Sequence, residues 1–117
     1  MGQNITPCLW FDMNAEDAIA FYGSIFDDVH ITATDRYVEG GYGPVGEVMY
    51  VQFTMHGTDF AAINGGPEFS FNEAISLAIE CKDQAEIDYF WEKLGAGGEY
   101  GPCGWLKDKY GLSWQVT

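Results

Sequence analysis

Two stretches of this chain, 68 positions apart, follow one pattern, and that repeat narrows the fold more than any other feature. Ile5 to Asp12 (ITPCLWFD) is an apolar run with polar ends, the pattern of a buried strand. Asn14 then opens NAEDAIAFYGSIF, with a capping residue, Asp17 as an acid three positions on, and apolar side chains at Ala18, Phe21, Tyr22, Ile25 and Phe26. That spacing predicts an amphipathic helix. In the second half Ala74 to Cys81 (AISLAIEC) again reads as a strand. Asp83 opens DQAEIDYFWEKLGAGG, with Glu86 three positions on and a Gly95-Ala96-Gly97-Gly98 end that supplies left-handed C-cap residues. Overlaid at the 68-residue shift, Leu9 falls on Leu77, Phe11 on Ile79, Ile19 on Ile87, Phe21-Tyr22 on Tyr89-Phe90 and Phe26 on Leu94. The period is too long for a solenoid and suits two modules that pair their sheets.

Each helix is followed by further strands. Val29 to Val38 alternates, Glu39 to Gly46 is a Gly-rich turn, Glu47 to Met55 alternates again, and Gly57-Thr58 turns the chain into Asp59 to Asn64. Short strands around Glu99 to Cys103, Trp105 to Lys107 and Leu112 to Val116 end the second half. The expectation is an α+β chain of two βαβββ modules, 4–66 and 72–117, in one domain spanning 1–117. A composition 47% apolar and 16% aromatic supports a core of its own, without staples or metals.

Cys8, Cys81 and Cys103 are odd in number and lack a CxxC spacing, so neither a disulfide framework nor a structural zinc site is expected, and a reducing cytoplasm is the simplest location. No apolar run approaches the ~20 residues of a membrane span, and no charged leader precedes one. Met1-Gly2 with Thr6 loosely fits a myristoylation signal and Asn4-Ile5-Thr6 a glycosylation sequon, but both fall where the first strand is placed. Eighteen acidic residues against five basic ones give a net charge of −13, which repels nucleic acid and anionic lipid. That surface serves solubility, or attracts a cationic ligand.

The segments PCLWFDMNAEDAIAFYGSIF, NGGPEFSF, AISLAIEC and CGWLKDKYGLSWQV resemble, in that order, those of PhnB-like proteins of the vicinal-oxygen-chelate superfamily, which includes glyoxalase, bleomycin-resistance and extradiol-dioxygenase proteins. The resemblance implies paired βαβββ units, an incompletely closed, barrel-like mixed sheet around a cavity, and a homodimer. The relatives usually continue past the WQV segment into a C-terminal helix, whereas this chain stops at Thr117. Isologous pairing is also the usual way for open sheet edges and apolar faces to be covered.

In the superfamily's metalloenzymes the metal sits between the modules, on His and Glu from the first and fourth strands of each half. The matching positions here are Thr6 to Cys8, Ile75 to Leu77, Ala62 to Asn64 and the vicinity of Gln115, and none is His, Asp or Glu. Zn, Ni, Mn and Fe favour imidazole and carboxylate ligands, so no metal and no other cofactor is expected. His30 and His56 fall on a strand and at a turn, as surface or structural groups. In a metal-free cavity Asn64, Ser76 and Gln115 would be the convergent polar groups, with Trp105 and Trp114 as candidate pocket walls. Trp91 is assigned to the core or a helix face.

Cys103, near Lys107, Asp108 and Lys109, is a candidate reactive thiol, though no His is adjacent and a packing role is the plainer reading. The GGYGPVG run leads into a strand, so it is a hairpin loop and not a phosphate cradle. Three functions remain: a metal-free small-molecule-binding protein, a glyoxalase- or dioxygenase-type lyase or isomerase with an atypical metal centre, and a protein that sequesters a cationic drug as bleomycin-resistance proteins do. A ubiquinone-pathway methyltransferase is disfavoured, because no Gly-rich strand-to-helix loop with a following acidic residue is present to hold the methyl donor.

Overall fold

The computed structural model describes residues 4–117, so the Met1-Gly2 signal lies outside the described residues. Its backbone divides between Ser70 and Phe71 into two compact units.

In the first unit, strand β1 (Cys8–Phe11) leads to helix α1 (Ala15–Gly23) and then to β2 (Val29–Arg36), β3 (Val48–Met55) and β4 (Thr58–Asn64). They form an open sheet in the order β1-β4-β3-β2, parallel between β1 and β4 and antiparallel elsewhere. A two-residue turn joins β3 to β4 with His56 and Gly57 both at positive φ (52° and 82°), the backbone twist such hairpins prefer. The register puts Leu9, Phe11, Val51, Phe53 and Ala62 on one face, all buried. Helix α1 covers that face with Ala15, Ala18, Ile19 and Tyr22. At about 25 cal/mol per Å² of apolar surface, this burial is the main stabilising term.

The second unit repeats the order: β5 (Ser76–Ile79), α2 (Gln84–Gly95), β6 (Glu99–Tyr100), β7 (Trp105–Lys107) and β8 (Ser113–Val116). Its open sheet runs β5-β8-β7-β6, with β5 parallel to β8. The 68-residue shift carries Cys8–Phe11 onto Ser76–Ile79 residue for residue. Ile79, Leu106, Trp114 and Val116 face α2, whose Phe90 and Leu94 are buried.

Several local expectations change. Asn14 occupies the N-cap position of α1, but its side chain makes no capping bond and its Oδ1 is buried without a partner among the described residues. Strand β2 alternates in sequence yet is exposed at seven of its eight residues; it is a sheet edge, and its register breaks at Ile31/Ala33 and Asp35/Arg36. The sequon residues Asn4 to Thr6 precede β1, which begins at Cys8.

Candidate functional site

Successive strand residues face opposite ways, so a one-residue difference exchanges the faces of a sheet. In β4 this separates Asn64 from the other candidates. Asn64 shares its face with Ala62 and Phe60, toward α1, whereas Ile63 shares the opposite face with Ala61 and Asp59. Asn64 is 2% exposed. Its Oδ1 accepts from the Ala15 backbone N–H at 2.9 Å, and its Nδ2 donates to Glu16 Oε1 at 2.7 Å and to the Val48 carbonyl at 2.9 Å. The Tyr37 hydroxyl donates to the Asn64 backbone carbonyl. The amide assigned from sequence to a pocket therefore caps α1 from a distant strand and ties it to β3. The apolar Ile63 occupies the position that corresponds to Gln115 in the second unit.

Ser76, Trp105 and Gln115 do come together, on the face of the second sheet away from α2. The register places Gln115 between Ala78 on β5 and Trp105 on β7. Gln115 Nε2 donates to Ser76 Oγ at 2.9 Å, and Ser76, Trp105 and Gln115 are all half-buried. Trp105 also lines a cavity of about 410 Å³ with Glu73, Glu99, Tyr100, Pro102 and Lys107. Lys107 Nζ lies 2.5 Å from Glu73 Oε2. Hydrogen bonding to Lys107 holds the Glu73 carboxyl below its ordinary range, and the same bond raises the Lys107 ammonium.

The turn beneath this site is organised by Asp108, 2% exposed, whose carboxylate accepts from Tyr110 N–H, Leu112 N–H and Trp114 Nε1 at 2.9, 3.1 and 2.9 Å. With Gly111 at φ 88° it closes the β7–β8 hairpin and so sets Trp105 opposite Gln115. Trp114, expected as a pocket wall, instead lies on the α2 side at 2% exposure, because it is one residue from Gln115. Cys103 is exposed, in a left-handed turn conformation (φ 57°), outside the residues that line the cavity.

The sequence did not mark Lys107, Glu99 and Glu73 as cavity residues. Lys107 carried a signal, since it alternates with Trp105 and so shares its face. Glu73 carried none, because only the fold brings it to β7. The first unit has a hollow of its own, about 320 Å³, lined by Thr6, Thr32, Tyr50, Gln52 and Asp59.

Residues 3–117 match the family described as 3-demethylubiquinone-9 3-methyltransferase. A PhnB protein from Bacillus cereus to which that activity is provisionally ascribed is 39% identical, with 98% of each chain covered and a TM-score of 0.85. The chain belongs to the PhnB-like family. Other solved structures extend the PhnB-like fold beyond it. PA1353 from Pseudomonas aeruginosa is 18% identical over 97% of this chain and 95% of its own, with a TM-score of 0.75. The fosfomycin resistance protein FosX from Listeria monocytogenes, complexed with Mn(II) and a sulfate ion, is 15% identical over 97% and 89%, with a TM-score of 0.69. At such identities the likeness concerns fold alone, and the fold is the glyoxalase-like one of the vicinal-oxygen-chelate superfamily. No curated protein matches the chain.

The residues of this PhnB-like chain do not fit the metal that the superfamily implies. Of the outward-facing residues on the first and fourth strands, those at the superfamily's ligand positions are Cys8, Ile63, Ser76 and Gln115, and burial raises the Cys8 thiol, which opposes the thiolate a metal needs. Among the described residues no three of His, Cys, Asp and Glu cluster to hold a metal ion. The methyl donor implied by the family's description fits no better, since the strand-to-helix connections Asp12-Met13-Asn14 and Glu80 to Asp83 contain no glycine to let the chain's backbone approach a bound cofactor. Among the described residues, no helix is long and apolar enough to cross a membrane.

Proposed function

We propose that this PhnB-like protein binds a small molecule without a metal or other cofactor, on the face of the second sheet that carries Ser76, Trp105 and Gln115. One observation carries the reading: an aromatic side chain lining a cavity of about 410 Å³ is also the cross-strand neighbour of a polar, half-buried Gln–Ser pair. A concave apolar wall beside a few fixed polar groups is the usual composition of a small-molecule site. The working unit proposed is a homodimer in the cytoplasm, with the two modules acting as one domain.

The reading is tested by elemental analysis and by binding. Purified protein should carry well under one equivalent of Zn, Ni, Mn or Fe, whereas stoichiometric metal that survives dialysis would overturn it. Aromatic compounds should raise the melting temperature of the wild type, and Trp105→Ala should remove the increase. A salt-sensitive preference for cations would favour capture of a cationic compound instead, at Glu73 and Glu99.

A further inference from the structure

We propose that the ligand of the second unit is a neutral, planar compound presenting an amide-type edge, an N–H donor beside a carbonyl acceptor, as a lactam, a cyclic imide or a ureide does. This rests on the small-molecule-binding reading above and names its ligand class. Shape gives the plane. Directly opposed residues on one face of a sheet have Cβ atoms about 4.5–5.5 Å apart, so a flat ring laid on the Trp105 indole has the Gln115 amide at its edge. On the other side of Gln115 stands Ala78, exposed and only a methyl group in size, which leaves room for the ligand's edge.

Hydrogen-bonding capacity gives the edge. A primary amide offers two N–H donors and a carbonyl, and a hydroxyl offers one donor and two lone pairs. The 2.9 Å bond from Gln115 to Ser76 uses one amide N–H and one hydroxyl lone pair. The pair still presents the Gln115 carbonyl oxygen as an acceptor, with the Ser76 O–H and the second amide N–H as donors. A ligand with a donor and an acceptor side by side satisfies both kinds of group. A carboxylate brings acceptors only and sets a negative oxygen against Gln115 Oε1, while an ammonium brings donors only.

Charge then decides little, which favours a neutral ligand. Two of the cavity's three charged side chains, Lys107 and Glu73, are engaged with each other at 2.5 Å. Glu99 is exposed, where water and salt weaken its pull on a cation. The net charge of −13 opposes an anion.

The test uses the full chain with phthalimide and N-methylphthalimide, which share ring and carbonyls but differ in the N–H, and with benzoate and benzylamine as charged comparators. Binding is followed by tryptophan fluorescence and melting temperature. Phthalimide should bind the wild type about tenfold or more tightly than its N-methyl derivative, because the latter leaves the Gln115 carbonyl unpaired. It should also bind more tightly than either charged compound. Gln115→Leu, checked for an unchanged fold by circular dichroism, should bring the two imides to within about twofold of each other, whereas Ser76→Ala, checked likewise, should weaken both together because it removes a donor to the carbonyl they share. The wild-type comparison decides the matter even if a variant folds poorly. Equal binding of the two imides, lost together in Trp105→Ala, would overturn the amide-edge inference and leave the small-molecule site standing. No response of any of the four probes to Trp105→Ala would overturn both.

Discussion

Removing the Asn64 amide would strand three polar groups at once: the Ala15 N–H, the Val48 carbonyl and the Glu16 carboxylate. Two of these bonds are buried, and an unmade buried hydrogen bond costs about 1–3 kcal/mol. Asn64→Ala is therefore expected to lower stability by about 2–4 kcal/mol in urea unfolding without changing the denaturant slope. Asn64→Asp should also destabilise, because it exchanges donors for a carboxylate that faces Glu16. The Glu73–Lys107 pair predicts a pH dependence. Glu73 has a depressed pKa in the folded chain, so its stabilisation is present above the unfolded carboxylate range and is lost as pH falls through the folded value. Lys107 has a raised pKa, so its share is present below the unfolded lysine value and is lost only as pH rises through the folded one. The difference in melting temperature between wild type and Glu73→Gln should thus be small but present at neutral pH, and should vanish in acid. A melting series from acid to neutral pH checks it, and high salt should reduce the neutral difference.

At the level of single elements, the two helices begin alike in sequence and differ in how their first turn is satisfied. Asp83 caps α2 with its own side chain, accepting from the Glu86 N–H at 2.9 Å, while Glu86 Oε1 accepts from the Lys82 N–H at 3.4 Å. Helix α1 is capped instead by Asn64, and Asn14 keeps a buried Oδ1 with no partner among the described residues. Asp83→Ala should cost about 1 kcal/mol, the usual value of a lost N-cap. Asn14→Ala should be neutral or slightly stabilising, because it removes a buried acceptor whose desolvation is uncompensated. Equal losses in the two variants by chemical denaturation would contradict this account of the caps. Strand β2 raises a different matter, since Ile31 on this edge is 54% exposed. Its two register breaks twist the edge and make unspecific strand addition harder.

For the whole molecule the relevant balance is between exposed apolar surface and net charge. Ile31, Val38, Tyr42, Val45, Phe69 and Ile75 are each more than half exposed, apolar surface of the kind that an interface between chains would cover. A stable interface buries about 1,600 Å², and at physiological salt a Debye length of about 8 Å screens much of the repulsion between chains of net charge −13. Light scattering at micromolar concentration is expected to give about twice the 13.0 kDa chain mass, and lower ionic strength should weaken the association. A monomer mass throughout that range would refute the dimer.

Much of the fold was legible in the linear chain, because hydrophobic spacing and capping residues are local signals. The repeat from Leu9 to Leu77, the strand of Trp105 to Lys107 and the cap at Asp83 could be read directly, as could the absence of imidazole and carboxylate at the superfamily's metal positions. The pairing of Ser76 with Gln115 was legible only through the family resemblance that placed both near one centre. Three things depended on tertiary structure. The faces of Asn64 and Trp114 turned on a single residue of strand parity, which an alignment uncertain by one position cannot resolve. The cap of α1 came from Asn64, far along the chain, and local capping rules do not see such an acceptor. Glu73 reached Lys107 only because β5, β8 and β7 lie side by side in an order that the linear chain does not display. Periodicity determines which residues a helix or strand buries, whereas register and sheet order determine which of the remaining side chains meet.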